Sequence, residues 1–301
     1  MTATALIVGS LHYDIIVETS HLPRRDETAI GSRWYPKFGG KGGNQAVAAR
    51  RQGVPARMVG AVGDDDFGRY LRAHLQNAGV DDQFVSDIAE IGSGISVALQ
   101  EPGGDYAATI VSGANLQIDP LILSNPAVWR GVGLLILQNE VPDTVNIAAA
   151  QAARARNLPV ILNAAPFRLL PHALLGLVTH LVVNAVEAEM LDAPPVTTLT
   201  TAANAAQHLS SMASHVIVTA GAQGLAVASA AQTVSIPAEK INVRSSHGAG
   251  DTFIGTLAAA LLQGATLPEA CIHASRSAAR HVAGLAPLIL TGDPVTDADP
   301  A

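Results

Sequence analysis

Gly248-Ala249-Gly250-Asp251 stands directly ahead of a run in which Phe253, Ile254, Leu257, Ala258, Leu261 and Leu262 recur at helical spacing. That spacing predicts a helix beginning near Asp251. Two chemistries fit such a start. Asp251 can be a plain N-cap beside a tight glycine turn. Alternatively, the amides of Gly248, Ala249 and Gly250 form an anion cradle at a helix N-terminus, with Asp251 as a general base planted in it. A second glycine-rich run, FGGKGGNQAVAAR at 38–50, surrounds Lys41 and leads into another helical pattern. It lacks the Lys-Ser/Thr ending of a Walker loop. It reads as a simple connection, or as a loop that lets a bound molecule approach backbone amides. Asn44, able to donate and to accept hydrogen bonds, suits the second reading and a sugar hydroxyl.

These residues need a scaffold, and composition limits which. The chain has 301 residues, 49% hydrophobic, with 14% charged and 4% aromatic, so aliphatic side chains must fill the core. One large domain over 1–301 with an elaboration is expected at this length. Eighteen basic against 25 acidic residues, net −7, argue against a nucleic-acid partner, which selects for a basic face. The lone Cys271 excludes an internal disulfide and suits a reducing compartment. MTATALIVGS lacks the charged-then-apolar order of a signal peptide, and no stretch reaches the ~18 apolar residues of a membrane span. A soluble cytoplasmic protein is expected.

Short aliphatic runs alternate with helical patterns. ARMVGAVG (56–63), GLLILQNE (133–140), PVILNAAP (159–166), HLVVNAVEAEM (180–190) and HVIVTAGAQG (215–224) read as strands with polar or glycine ends. Residues 44–53, 66–79 and 143–157 read as helices. Apolar strands between helices imply a parallel sheet covered on both faces. Ligands bind beyond the C-terminal ends of such strands, where Asn139-Glu140, Asn163, Asn184 and Thr219-Ala220-Gly221 fall. Segments 12–40 and 94–113 show strand alternation without helices, and Pro102-Gly103-Gly104 is a hairpin signal. They are expected to pair into a separate small sheet, a lid that keeps water from the chemistry.

The pairing of GGKGGNQAVAA with GAGDTFIGTL, in this order and strand context, resembles the two signatures of the ribokinase-like carbohydrate kinases of the phosphofructokinase-B type. The resemblance runs from IVGSLHYD at 7–14 to at least Ala270. It implies a doubly wound, mostly parallel α/β fold with helices on both faces and a β-sheet lid formed by about 12–38 and 94–112. It also implies transfer of the ATP γ-phosphoryl to a sugar hydroxyl, ribose or a relative first. Asp251 matches the family's base, and Gly248, Ala249 and Gly250 its anion hole. His12, Asp14, Gly40, Lys41, Gly42, Asn44 and Glu140 match the sugar side, and Asn184, Thr219, Gly221 and Gly224 the ATP side. Glu187 matches a residue that helps place magnesium through water; without the resemblance it reads as a solvated helix face. A homodimer through the open edges of the lid is the expected assembly.

The chain also departs from the family pattern. Ser245-Ser246 stand where Asp-Thr is common, and the C-terminal stretch lacks the Gly-Ala-x-x-Ser-like ending that completes a monovalent-cation site. Weak potassium dependence is therefore expected. His12 replaces a frequent Asn beside the sugar, which keeps a nucleoside kinase of the same fold as an alternative. A non-catalytic sugar or nucleotide sensor is a further one, against which the intact Gly248-to-Asp251 run argues. A dinucleotide-dependent dehydrogenase would carry G-x-G-x-x-G after the first strand, where IVGSLHYD stands.

Overall fold

The computed structural model describes residues 3–102 and 106–289. In chain order its first half comprises β1 (Thr4–Val8), β2 (His12–Thr19), β3 (Gly31–Gly39), α1 (Lys41–Arg51), β4 (Ala56–Gly63), α2 (Asp66–Asn77), β5 (Asp81–Ile88), β6 (Gly94–Gln100) and β7 (Tyr106–Val111). Then follow β8 (Val132–Gln138), α3 (Asp143–Arg154), β9 (Val160–Asn163), α4 (His172–Leu175), β10 (His180–Asn184), α5 (Ala185–Met190) and α6 (Leu199–His208). The last elements are β11 (His215–Thr219), β12 (Leu225–Ser229), β13 (Thr233–Ile236), α7 (Ala249–Leu262) and α8 (Leu267–Val282).

Nine strands form one sheet in the order β13-β12-β11-β10-β9-β8-β1-β4-β5. From β5 through β11 all neighbours are parallel, and β12 and β13 add an antiparallel edge. The order reverses between β1 and β8, which opens a crevice at their C-terminal ends. Alternation along β1 sends Leu6 and Val8 into one hydrophobic cluster and Ala5 and Ile7 into the other, one on each face. Each fully buried Leu or Ile contributes about 1.5–3 kcal/mol. The fully buried α7 residues Leu257, Ala258 and Ala259 show why this helix is apolar nearly all round: it lies under α1 and α8 against the sheet.

Segments 12–19, 31–39, 94–100 and 106–111 form the separate small sheet, in the order β3-β2-β6-β7. Its central pair β2–β6 is parallel and its outer pairs antiparallel. Tyr13 of β2 stacks on Phe67 of α2 at 4.2 Å, and Phe38 of β3 stacks on His74 at 4.1 Å. These rings tie the base of the small sheet to α2. Of the hairpin signal Pro102-Gly103-Gly104, the two glycines lie outside the described residues, as does the chain beyond Leu290's predecessor Ile289.

Several boundaries differ from those expected. Helix α1 begins at Lys41 rather than residue 44, so Lys41, Gly42 and Gly43 form its first turn instead of a loop. Helix α7 begins at Ala249, which places Asp251 inside the first turn. The run 180–190 is a strand only to Asn184; from Ala185 it is helical, because Asn184 and Glu187 close a capping box. Among the described residues no helix is long and apolar enough to cross a membrane.

Candidate active site

Gly248 caps α7 in the left-handed region at φ 77°, and Thr252 N donates to Gly248 O at 2.9 Å as the first helical bond. Asp251 is not the cap. Its carboxylate accepts from Asn44 Nδ2 at 3.1 Å and from Gln45 Nε2 at 2.9 Å, both on α1. A side chain added at Gly250 would meet no atom within 4 Å, so the approach to this backbone is open.

A buried polar chain holds that geometry. Gln45 Nε2 also lies 3.1 Å from Asn163 Oδ1 at the end of β9, and Gln45 Oε1 accepts from Gln138 Nε2 at 2.8 Å at the end of β8. Asn146 Nδ2 of α3 donates to Gln138 O at 2.8 Å. Gln45, Gln138 and Asn146 are fully buried, where an amide without partners would cost about 1–3 kcal/mol. Sequence reasoning missed Gln45 and Gln138. The available signal was a Gln inside an otherwise apolar helix face, directly after Asn44. Burial raises the pKa of Asp251, opposed by the Lys41 charge and the bonds from Gln45 and Asn44, and reinforced by Glu140.

On the side of the small sheet, Glu140 Oε2 accepts from Ser10 Oγ in a short bond and from Lys41 N at 2.9 Å. His12 Nδ1 stands 4.0 Å from the same oxygen, and burial lowers the pKa of this imidazole despite the Glu140 charge. Asp14 faces Lys37 across the β2–β3 ladder. Burial raises its carboxyl to about 7 against the pull of Lys37, helped by the charges of Glu140 and Asp251. On their Cβ side, Gly40 and Gly42 press on protein. A Cβ at Gly42 would lie 2.7 Å from Gly9 C and Ser10 N, and one at Gly40 would lie 2.7 Å from His12 N. Their lack of side chains lets α1 sit on the β1–β2 turn.

A cavity of about 390 Å³ opens on the other side of Asp251. Lys41, Asn163, Asn184, Glu187, Thr219, Ser246, Gly248 and Gly250 line it together with Asp251. Asn184 Oδ1 accepts from Glu187 N at 2.9 Å, and Glu187 Oε2 accepts from Asn184 N at 2.9 Å. Glu187 is therefore a buried part of the cavity wall rather than a solvated helix face, and burial raises its pKa. Ala249 follows Gly248 in the first turn. Gly221, at φ 53°, is open around its Cβ position, whereas a Cβ at Gly224 would lie 2.1 Å from Ile236 O, so Gly224 serves the β11–β12 turn. Among the described residues, no group of three or more His, Cys, Asp or Glu side chains forms a metal-binding cluster.

Known proteins share this fold and part of this sequence. The pfkB family carbohydrate kinase profile matches residues 2–284. The chain is 32% identical over 278 residues to the ribokinase of Bacillus subtilis, covering 92% of each. It is 30% identical over 281 residues to the deoxyribokinase of Salmonella typhi, again covering 92% of each. Arabidopsis thaliana ribokinase, solved with ribose and ATP, superposes with a TM-score of 0.86 at 28% identity over 94% of this chain and 93% of that one. With the profile match spanning residues 2–284, over the nine-stranded sheet, the small sheet and both glycine-led helices, the chain belongs to the pfkB family of carbohydrate kinases.

Proposed function

We propose that this kinase moves the γ-phosphoryl group of ATP onto a hydroxyl of a ribose-class sugar, with Asp251 as the general base. The observation that carries the reading is the position of Asp251. Its buried carboxylate lines the cavity together with the glycine backbone of α7, and side chains of α1 fix its orientation. The names of the relatives, ribokinase and deoxyribokinase, support a pentose as the substrate.

Asp14, Glu140 and Asn44 offer the acceptors and donors that orient a polyhydroxylated ring, and His12 and Lys41 pack beside Glu140. Asp251 takes the proton of the attacking hydroxyl as the new P–O bond forms and the bond to ADP breaks. A carboxylate with a raised pKa is the better base for this, and the step supplies about 10²–10⁴-fold. The Gly248, Ala249 and Gly250 backbone, at the positive end of α7, faces the charge that develops on the transferring phosphoryl group. Donors so placed are each worth about 10²–10³-fold. Asn184, Thr219 and the open Gly221 turn bind the nucleotide beyond them.

Glu187 fits magnesium. One of its oxygens is spent on Asn184 N, and its burial makes a second, cationic partner favourable. Bound through water there, magnesium supplies charge neutralisation for the ATP phosphates. We place the reaction in the cytoplasm, where ATP is available and the buried Cys271 stays a thiol. A second copy would meet the small sheet, whose outer strands expose Trp34, Ile110 and Val111.

The test is ADP release with ATP and magnesium across a panel of pentoses, hexoses and nucleosides, with the product checked for the mass of one added phosphoryl group. Ribose or deoxyribose is expected to give the highest kcat/KM. Turnover confined to nucleosides would overturn the sugar assignment, and no turnover on any member would overturn the enzyme.

A further inference from the structure

The turn ahead of α7 is held from behind by α8. His281, in the last turn of α8, places Nε2 2.9 Å from the carbonyl oxygen of His247. A carbonyl only accepts, so Nε2 carries the hydrogen. The same nitrogen fills the space beside Gly248: a Cβ there would lie 2.9 Å from it. The next residue of α8 completes the grip, because Val282 O accepts from Arg244 N at 2.7 Å and from Ser245 N at 3.2 Å. Helix α7 itself makes its first bond one residue later, from Thr252 N to Gly248 O at 2.9 Å.

The consequence follows from peptide geometry. The carbonyl of His247 and the N–H of Gly248 belong to one planar trans unit, in which C=O and N–H point in opposite directions. Fixing the oxygen toward His281 therefore aims the Gly248 N–H away from that ring, and Gly248 is one of the residues that line the cavity with Asp251. Gly248 sits at a left-handed φ of 77°, and a glycine peptide free of such a tether has other conformations open to it. The tether removes them.

From this geometry we infer that His281 is a positioning residue for phosphoryl transfer: its imidazole N–H holds the His247–Gly248 peptide so that the Gly248 amide is directed at the transferring group. The inference rests on the proposed role of the α7 amides. It concerns a side chain that touches neither substrate nor the reacting atoms, and it assigns that side chain an effect on the chemical step alone. His281, itself exposed, also borders a cavity of about 50 Å³ with Ser277, Gln52 and Thr252, so removal of the ring leaves room at the surface for a small aromatic base.

The experiment compares His281→Ala, His281→Gln and Asp251→Asn in the full chain, with kcat and both KM values measured for each. A displaced amide donor costs about tenfold to a hundredfold. His281→Ala is expected to lose kcat on that scale while the KM values for sugar and ATP stay within about threefold. His281→Gln keeps an N–H within reach and is expected to recover most of the loss. Imidazole added to His281→Ala is expected to raise kcat in a saturable way. An unchanged kcat in His281→Ala would overturn the inference. So would an equal loss in His281→Gln with no response to imidazole, which would assign the ring a packing role. Asp251→Asn reports separately on the underlying reading. Should it retain turnover, the base assignment falls; should it fail while His281→Ala is fully active, only the positioning role falls.

Discussion

The two glycine-rich helix starts look alike in sequence and are built for different neighbours. At α1 the glycines admit protein. The Cβ position of Gly42 is taken by the backbone of Gly9 and Ser10, and that of Gly43 by Phe38 and Leu11 at 2.6–2.7 Å. At α7 the Cβ position of Gly250 is empty to 4 Å, and the glycine lines the large cavity. A glycine in sequence announces close approach; only the fold says what approaches. The two starts are nonetheless one device, since Asn44 and Gln45 of the first hold the carboxylate of Asp251 in the second.

The largest expected effect separates the acid from its supports. Asp251→Asn keeps shape and polarity but cannot take a proton, so kcat is expected to fall about 10²-fold or more. Substrate affinities should hold within a few-fold. A modest fall in melting temperature is expected, because both carboxylate oxygens accept from α1 amides and the Asn nitrogen leaves one of those donors unpaired, at about 1–3 kcal/mol. Thermal denaturation beside steady-state kinetics checks both statements, and a folded variant with near-normal kcat would remove Asp251 from the chemistry.

Next come the glycines themselves, substituted in parallel. Gly250→Ala puts a methyl where a ligand would approach, so kcat is expected to fall about tenfold to a hundredfold with little change in denaturant midpoint. Gly42→Ala drives a methyl into backbone and is expected to cost about 1–3 kcal/mol of stability. Activity per folded molecule would then fall less than in Gly250→Ala. The reverse pattern would erase the distinction between the two starts.

Asp14 gives a pH-dependent version of the comparison. Its native pKa, raised to about 7, lies above the ordinary 3.8 of an unfolded chain. Two signs follow. The native protein keeps this proton longer than the unfolded chain does, so its contribution to stability falls as pH rises from about 4 to about 7. Sugar binding moves the other way, because the ionised carboxylate can accept from two hydroxyls. The KM for sugar is expected to fall about tenfold between about pH 6 and about pH 8, and Asp14→Asn should flatten the profile. A sugar KM independent of pH in the unmodified protein would show that Asp14 does not meet the ring.

Much of this was legible in the chain. The run 56–63 forms β4 with the expected ends, and the helix-free segments pair into the small sheet, because period-two and period-3.6 patterns report burial directly. What stayed hidden is instructive. Strands β12 and β13 are short antiparallel pieces at the sheet's edge, LAVAS and TVSI, and five and four residues are too few to show a period. The start of α1 is masked in the sequence because Gly42 and Gly43 are poor helix formers; packing on the β1–β2 turn overrides that propensity. Asp251 was visible through its motif, but Gln45, Gln138 and His281 were not. Each acts through a contact with a residue distant in sequence, and neither composition nor spacing records such a contact.

The smallest expected effect concerns the cation that the family resemblance implies near the α7 turn. The carboxylate that would attract it is replaced by Ser245, whose Oγ accepts instead from His247 N at 3.3 Å. The turn is already fixed by protein: Val282 O binds the amides of Arg244 and Ser245, and His281 holds His247 O. A potassium ion bound by neutral oxygens alone would have to repay its dehydration without a full opposing charge. Initial rates in potassium and in a large organic cation at matched ionic strength are therefore expected to agree within about twofold. Ser245→Asp should raise the potassium response by restoring the charge, and should do so more strongly in His281→Ala, where the turn has lost its tether. Strong activation of the unmodified protein by potassium would show that backbone carbonyls suffice, and that the second glycine start, unlike the first, is not held by protein alone.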